Sequence, residues 1–143
     1  ERQSKSKEKS MIEYRDEKDL PPKELEKLFL SIGWESGKEP VLLAQALKNY
    51  GTVLTAWDGD ELIGLIAAMD DGVLTAYVHY LLVRADRQSA GIGGVLLEQL
   101  KARYASFHKI ALIGEHPAKV FYERHDFEEE PNASPMYFFP QQD

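Results

Sequence analysis

The chain has 143 residues, 43% of them hydrophobic and 29% charged, with 24 acidic against 17 basic side chains and a net charge of −7. That length predicts one globular domain able to bury a core without staples. The lack of cysteine excludes disulfides, thiolate metal sites and a cysteine nucleophile. The acidic balance argues against nucleic acid as a partner and suits a cationic substrate.

No apolar run approaches the roughly 20 residues that span a bilayer. The polar first residues carry no secretory signal. A cytoplasmic protein without a membrane partner is therefore expected. Residues 1–10 have an excess charge of +2 and are expected to form a disordered tail, with Met11 a candidate natural start, while the body 11–143 carries −9. His79, His108, His116 and His125 show no ligand spacing, so no metal is expected.

Along the chain, Met11–Arg15 alternates as a short strand does. Asp19-Leu20-Pro21-Pro22 breaks it and leads into a helix with Leu25, Leu28, Phe29 and Ile32 on one face. Pro40 opens a second helix, with Leu43, Ala46, Leu47 and Tyr50 inward, and Gly51 closes it. The loop Gly33–Glu39 between them holds Trp34, expected at the edge of the core.

Val53–Trp57 and Leu62–Met69 predict a hairpin about Asp58-Gly59-Asp60. Asp70-Asp71-Gly72 turns the chain into a longer strand, Leu74–Val83. Strict alternation would put Tyr77, His79, Leu81 and Val83 on one side of that strand and Ala76, Val78, Tyr80 and Leu82 on the other. A helix follows with an apolar stripe of Ile92, Leu96, Leu100, Tyr104 and Phe107. The strand Lys109–Ile113 should then lie parallel to Leu74–Val83, because it follows a helical crossover. A short helix covers Ala118–His125. Phe127–Glu129 and Pro135–Phe139 suggest two last strands, the final one apolar and near an edge, where it could pair across a homodimer.

The stretch with the most chemistry is Gln88-Ser89-Ala90-Gly91-Ile92-Gly93-Gly94, between a strand and a helix. Such a turn exposes backbone N–H groups at the positive end of a helix dipole and suits a phosphate. It is not a P-loop, because Val95-Leu96 stand where Lys-Ser or Lys-Thr would be needed. It is not a dinucleotide fingerprint, because Leu96 takes the place of the third glycine.

Gln88-x-x-Gly91-x-Gly93 instead resembles the pyrophosphate loop of the GNAT superfamily of acyl-CoA-dependent N-acetyltransferases, Arg/Gln-x-x-Gly-x-Gly/Ala. Ala118-Lys119-Val120-Phe121-Tyr122-Glu123-Arg124-His125-Asp126-Phe127 is similar to that family's late signature, Ala-x-x-Phe-Tyr-x-x-x-Gly-Phe. Three positions depart from the pattern. Asp126 replaces a glycine and must take positive φ. Glu115 stands where asparagine is common, and Ala85 where proline is frequent.

The resemblance implies an α+β fold. Its mixed, largely antiparallel sheet would have about six to seven strands, splayed between Leu74–Val83 and Lys109–Ile113, with helices on both faces. It implies acetyl-CoA as co-substrate, held by Leu82, Val83, the backbone of Gln88, Ser89, Ala90, Gly91, Ile92, Gly93 and Gly94, and by Lys119 and Tyr122. Arg84 and Arg87 are further phosphate candidates, though each of them, like Lys119, is better explained as a solvated charge.

The implied reaction is direct acetyl transfer to an amine in a ternary complex. The backbone of Val83 and Leu82 would polarise the carbonyl, and Tyr122 would serve as general acid toward the sulfur. The base is left open between His79 and Glu115, with His116 a further rival. A small primary amine is the expected acceptor. Protein acetylation and non-catalytic acyl-CoA binding are the alternatives.

Overall fold

The computed structural model describes residues 11–141; the expected tail 1–10 lies outside them. The chain divides into two compact units, one ending at Leu112 and the other beginning at Ile113.

The first unit is built on five strands: β1 (Ile12–Asp16), β2 (Thr52–Asp58), β3 (Glu61–Asp70), β4 (Thr75–Val83) and β5 (Lys109–Leu112). They lie in sequence order across the sheet. The first four are antiparallel neighbours, and β5 is parallel to β4. The tight turn at Gly59, φ 61°, closes the β2–β3 hairpin, as Asp-Gly turns do. The parallel step needs a crossover, supplied by the helix between β4 and β5.

Three helices belong to this unit: α1 (Pro22–Ser31), α2 (Pro40–Lys48) and α3 (Ile92–Arg103). Proline starts α1 and α2, where a missing N–H costs nothing. Leu25, Leu28 and Phe29 of α1 join Leu43, Ala44 and Leu47 of α2 in one buried cluster with Val53, Trp57, Leu62, Leu65, Ala67 and Leu82 of the sheet. On the opposite face Ile92, Leu96, Leu97 and Leu100 of α3 are buried. Gly64 lies directly beneath that helix, since a Cβ there would stand 3.0 Å from Ile92 Cγ2 and 3.3 Å from Leu96 Cδ1. Helices thus cover both faces of the sheet.

β4 does not alternate strictly. Ala68 pairs with Val78, but Ala67 pairs with Tyr80, so His79 is an extra residue in the ladder. A bulge of this kind changes which face the following residues occupy. Residues directly opposite in an antiparallel pair share a face. Val83 lies opposite Gly64 and Leu81 opposite Ile66, so both face α3. Tyr80 instead packs on the α1–α2 cluster with Leu82, and His79 stacks on Tyr80 with ring centroids 4.1 Å apart. The expected grouping of His79 with Leu81 and Val83 is therefore corrected. The bulge sets it beside Tyr80.

The second unit holds a short 3-10 turn, His116–Ala118, and one helix, α4 (Lys119–Arg124). The expected strands at Phe127–Glu129 and Pro135–Phe139 are not formed, so the sheet has five strands rather than six or seven. Pro131, Pro135 and Pro140 remove ladder donors, and an apolar run makes a strand only beside another strand. Met136, Tyr137, Phe138 and Phe139 are exposed by 88%, 65%, 86% and 59%, without the burial that would fix a register. No helix among the described residues is long and apolar enough to cross a membrane.

Candidate active site

The ladder between β4 and β5 is short. It runs from Thr75–Lys109 to Val78–Leu112, while β4 continues to Val83. The last five residues of β4 therefore have no strand partner on that edge among the described residues. The N–H of Arg84 donates to Ile63 O on the β3 side at 2.8 Å. Backbone groups alternate along an extended strand, so the N–H and C=O of Val83 point to the open edge. The Gln88 side chain meets that carbonyl, its Nε2 donating to Val83 O at 3.0 Å. Leu82 and Val83 are themselves buried.

After Arg84 the chain makes a 3-10 turn, Ala85–Arg87, passes through exposed Gln88, Ser89 and Ala90, and enters α3 through Gly91. Gly91 has φ 82°, a left-handed conformation that glycine adopts without penalty. The first intrahelical bond is from Val95 N–H to Gly91 O, 3.2 Å. The N–H groups of Ile92, Gly93 and Gly94 precede it and have no acceptor within the helix. Gly91, Gly93 and Gly94 bring no side chains of their own to this end of the helix. This end of a 12-residue helix is a ready anion site.

The nearby guanidinium groups are engaged in the frame of the turn. Arg84 bonds Asp86 at 2.7 Å and Glu61 at 2.9 Å; Arg87 pairs with Asp58. Asp58 ends β2 and Glu61 begins β3, so both arginines tie the glycine turn to the β2–β3 hairpin. From sequence these arginines are phosphate candidates or solvated charges; Asp86 is a near neighbour of Arg84, but Glu61 and Asp58 lie 23 and 29 positions from their arginines, too far to be inferred.

On the α1–α2 side of β4 lies an aromatic group. Tyr80 meets Phe29 edge-on at 5.0 Å and Trp34 at 6.2 Å, and its hydroxyl lies 3.0 Å from Ser36 Oγ. His79 stacks on Tyr80 and lies beside Tyr50, whose ring centroid is 5.9 Å away, and its Nδ1 is 2.5 Å from the Tyr50 hydroxyl. Burial lowers the His79 pKa below the ordinary histidine value, which keeps the ring neutral at neutral pH. Tyr50 is buried. Burial, with the phenols of Tyr80 and Tyr77 beside it, raises its pKa well beyond the ordinary range. Sequence reasoning missed the pairing of Tyr50 with His79. The available signal was a helix ending on tyrosine and a strand carrying Tyr77, His79 and Tyr80 close together.

In the second unit Tyr122 lies on α4 against Phe121, at 5.2 Å, and Phe127, at 5.9 Å. Burial first, and the charge of Glu115 second, raise its pKa above the usual tyrosine value, so it keeps its proton at neutral pH. Phe127 N–H and His125 N–H both return to Tyr122 O, at 3.0 Å each. Asp126 closes that turn with φ 69°, the positive angle that its place in the sequence pattern requires. Lys119 is held by Glu129 at 2.8 Å. Glu115 caps the 3-10 turn through its carbonyl, which accepts from Ala118 N–H at 2.9 Å, and its side chain is exposed, as is that of His116. No group of three or more His, Cys, Asp or Glu side chains that could hold a metal occurs among the described residues.

These features coincide with one family. The model of the acetyltransferase (GNAT) domain matches residues 49–129, which span β2 to the turn after α4, and the chain belongs to that family. Solved structures agree in fold. A GNAT-family acetyltransferase of Streptococcus pneumoniae superposes with a TM-score of 0.79 at 25% identity, over 92% of this chain and 100% of that one. A Staphylococcus aureus protein of unknown function gives 0.80 at 21% identity, over 90% and 99%. Glucosamine-6-phosphate N-acetyltransferase of Arabidopsis thaliana gives 0.66 at 15% identity, over 91% and 100%; at that identity the likeness is one of fold. No curated protein sequence matches the chain.

Proposed function

We propose that this protein is an acetyl-CoA-dependent N-acetyltransferase acting on a primary amine of a small molecule. The observation that carries the reading is the join of β4 to α3. An open strand edge at Val83 leads, through the 3-10 turn Ala85–Arg87, to a glycine turn whose N–H groups at Ile92, Gly93 and Gly94 have no acceptor within the helix. One connected segment thus offers a donor for a thioester carbonyl and a cradle for a pyrophosphate. The backbone of Gln88, Ser89, Ala90 and Gly91 completes that cradle. Lys119 would reach a phosphate only by leaving Glu129.

In this reading the amine, once deprotonated, attacks the thioester carbon. The N–C bond forms, and Val83 N–H, with the backbone of Leu82 beside it, steadies the oxyanion. The C–S bond then breaks, and Tyr122 gives its proton to the leaving sulfur. His79 takes the proton from the amine; it is neutral and open to solvent on one side. Glu115 is the rival base. The net charge of −7 favours a cationic acceptor through long-range attraction. One domain working in the cytoplasm completes the proposal.

The test is release of the CoA thiol from acetyl-CoA over a panel of small amines and lysine peptides. Turnover with small amines is the expected result. A variant Gly91→Val should bind CoA more weakly, because a β-branched residue at φ 82° is strained by about 1–2 kcal/mol. Turnover only with peptides would replace the small amine by a protein acceptor. CoA binding without turnover on any acceptor would leave a binding module.

A further inference from the structure

We propose that Tyr50 is a positioning residue for His79: its phenol oxygen accepts the Nδ1–H of the imidazole and so leaves Nε2 as the nitrogen that takes the proton of the acceptor amine. The inference rests on the reading of His79 as base and adds to it a partner, a tautomer and a polarity. Its basis is geometric. The Tyr50 hydroxyl lies 2.5 Å from His79 Nδ1, and the two rings are nearly parallel, at 11°. Tyr80 stacks on a face of the imidazole, ring centroids 4.1 Å apart. With Nδ1 bound by Tyr50 at the edge of the ring, the free nitrogen is Nε2, and His79 is exposed.

The position is built rather than incidental. His79 is the extra residue of a bulge, a device that re-aims a side chain out of the regular pleat. The bulge turns the ring toward Tyr50, which follows α2 and bonds its own N–H to Leu47 O at 3.2 Å. The titratable groups facing the imidazole are Tyr50 from the end of α2 and Tyr77 and Tyr80 from its own strand. The Tyr50 phenol has a neighbour for its own hydrogen in Tyr80, whose hydroxyl lies 3.0 Å from Ser36 Oγ. Donors can therefore run in one direction, from His79 through Tyr50 and Tyr80 to Ser36.

The proton step balances simply. An N–H bond of the ammonium breaks and an Nε2–H bond forms. The imidazolium then holds Nδ1–H against Tyr50, and the amine lone pair is free to attack. A hydrogen bond to the charged form favours that form. Tyr50 thus opposes part of the burial that would otherwise make His79 too weak a base.

The polarity can be read directly. In the wild-type protein, 15N shifts of the neutral His79 imidazole, assigned with His79→Gln, should show a protonated Nδ1 and a bare Nε2. The reverse tautomer overturns the proposal. In Tyr50→Phe, which keeps the ring but not the oxygen, the His79 titration midpoint should fall by about one pH unit, the scale of one lost hydrogen bond to a charged group. A midpoint that rises or stays in place also overturns it. The acid limb of kcat/KM should move down with the midpoint. If the tautomer and midpoint behave as expected but the acid limb stays, His79 is held by Tyr50 without being the base, and it is the reading of His79 as base that fails.

Discussion

At the scale of single residues, Tyr122 and Asp126 show how an environment sets chemistry. Phe121 and Phe127 surround the Tyr122 ring, and burial, with Glu115 adding to it, holds the phenol in its protonated form. A general acid needs that state at working pH. Tyr122→Phe keeps the ring packing and removes only the hydroxyl. Turnover should fall about a hundredfold while CoA affinity, measured by calorimetry, changes little. Unchanged turnover would take Tyr122 out of the mechanism. Asp126 was legible from sequence because a backbone requirement is local. The pattern that the chain resembles has glycine at that place, which implies positive φ, and the angle of 69° is there. Tyr50 was not legible as the partner of His79. They are 29 positions apart, and no periodicity encodes a contact between a helix end and a strand bulge.

At the scale of elements, the glycine turn depends on where α3 lies. The helix is seated over Gly64, where a Cβ would meet Ile92 Cγ2 at 3.0 Å, Leu96 Cδ1 at 3.3 Å and Ala56 Cβ at 3.4 Å. Ile92 and Leu96 are fully buried and have little room to yield. Gly64→Val should therefore lift the first turn of α3 and cost about 1–3 kcal/mol in stability. Because that turn carries Gly93 and Gly94, CoA affinity should weaken as well, although Gly64 touches no ligand group. A melting curve and a CoA titration on the one variant separate the effects. Loss of stability with CoA affinity intact would mean that the turn is set by Arg84 and Arg87 rather than by the helix seat. The helix and strand periods of the first unit were readable in advance except past the β4 bulge and at Ala46, expected inward and in fact exposed. Residues 127–139 were not. Phe127–Glu129 and Met136–Phe139 have strand-like composition, but composition cannot say whether a neighbouring edge is there to pair with.

At the scale of the whole molecule, one buried polar knot ties the crossover helix to the sheet. Tyr104, just past α3, donates its hydroxyl hydrogen to Asp70 Oδ2 at 2.6 Å. Thr52 Oγ1 lies 2.7 Å from the Tyr104 hydroxyl oxygen and, with the phenol hydrogen given to Asp70, donates to it. The knot joins the start of β2, the end of β3 and the end of α3, so it forms only when the sheet and crossover are both in place. Burial and the Asp70 carboxylate raise the Tyr104 pKa to about 12 from its model-compound value of 10.0. The folded state then binds this proton more tightly than the unfolded chain does. Below pH 10 both states keep it and the knot's contribution is complete. As pH rises from about 10 toward 12, the unfolded chain loses the proton first, and stability must fall. Denaturant midpoints measured up to pH 11 should show that decline. In Tyr104→Phe the decline should be smaller, and stability at pH 7 should be lower by about 1–3 kcal/mol, because Thr52 and Asp70 lose a buried partner. An alkaline decline equally steep in the variant would place the responsible proton on another tyrosine. Tyr50 would be the first to examine, since burial and the phenols of Tyr80 and Tyr77 raise its pKa further still. Tyr50→Phe, the variant that reports on His79, would then also flatten the alkaline limb.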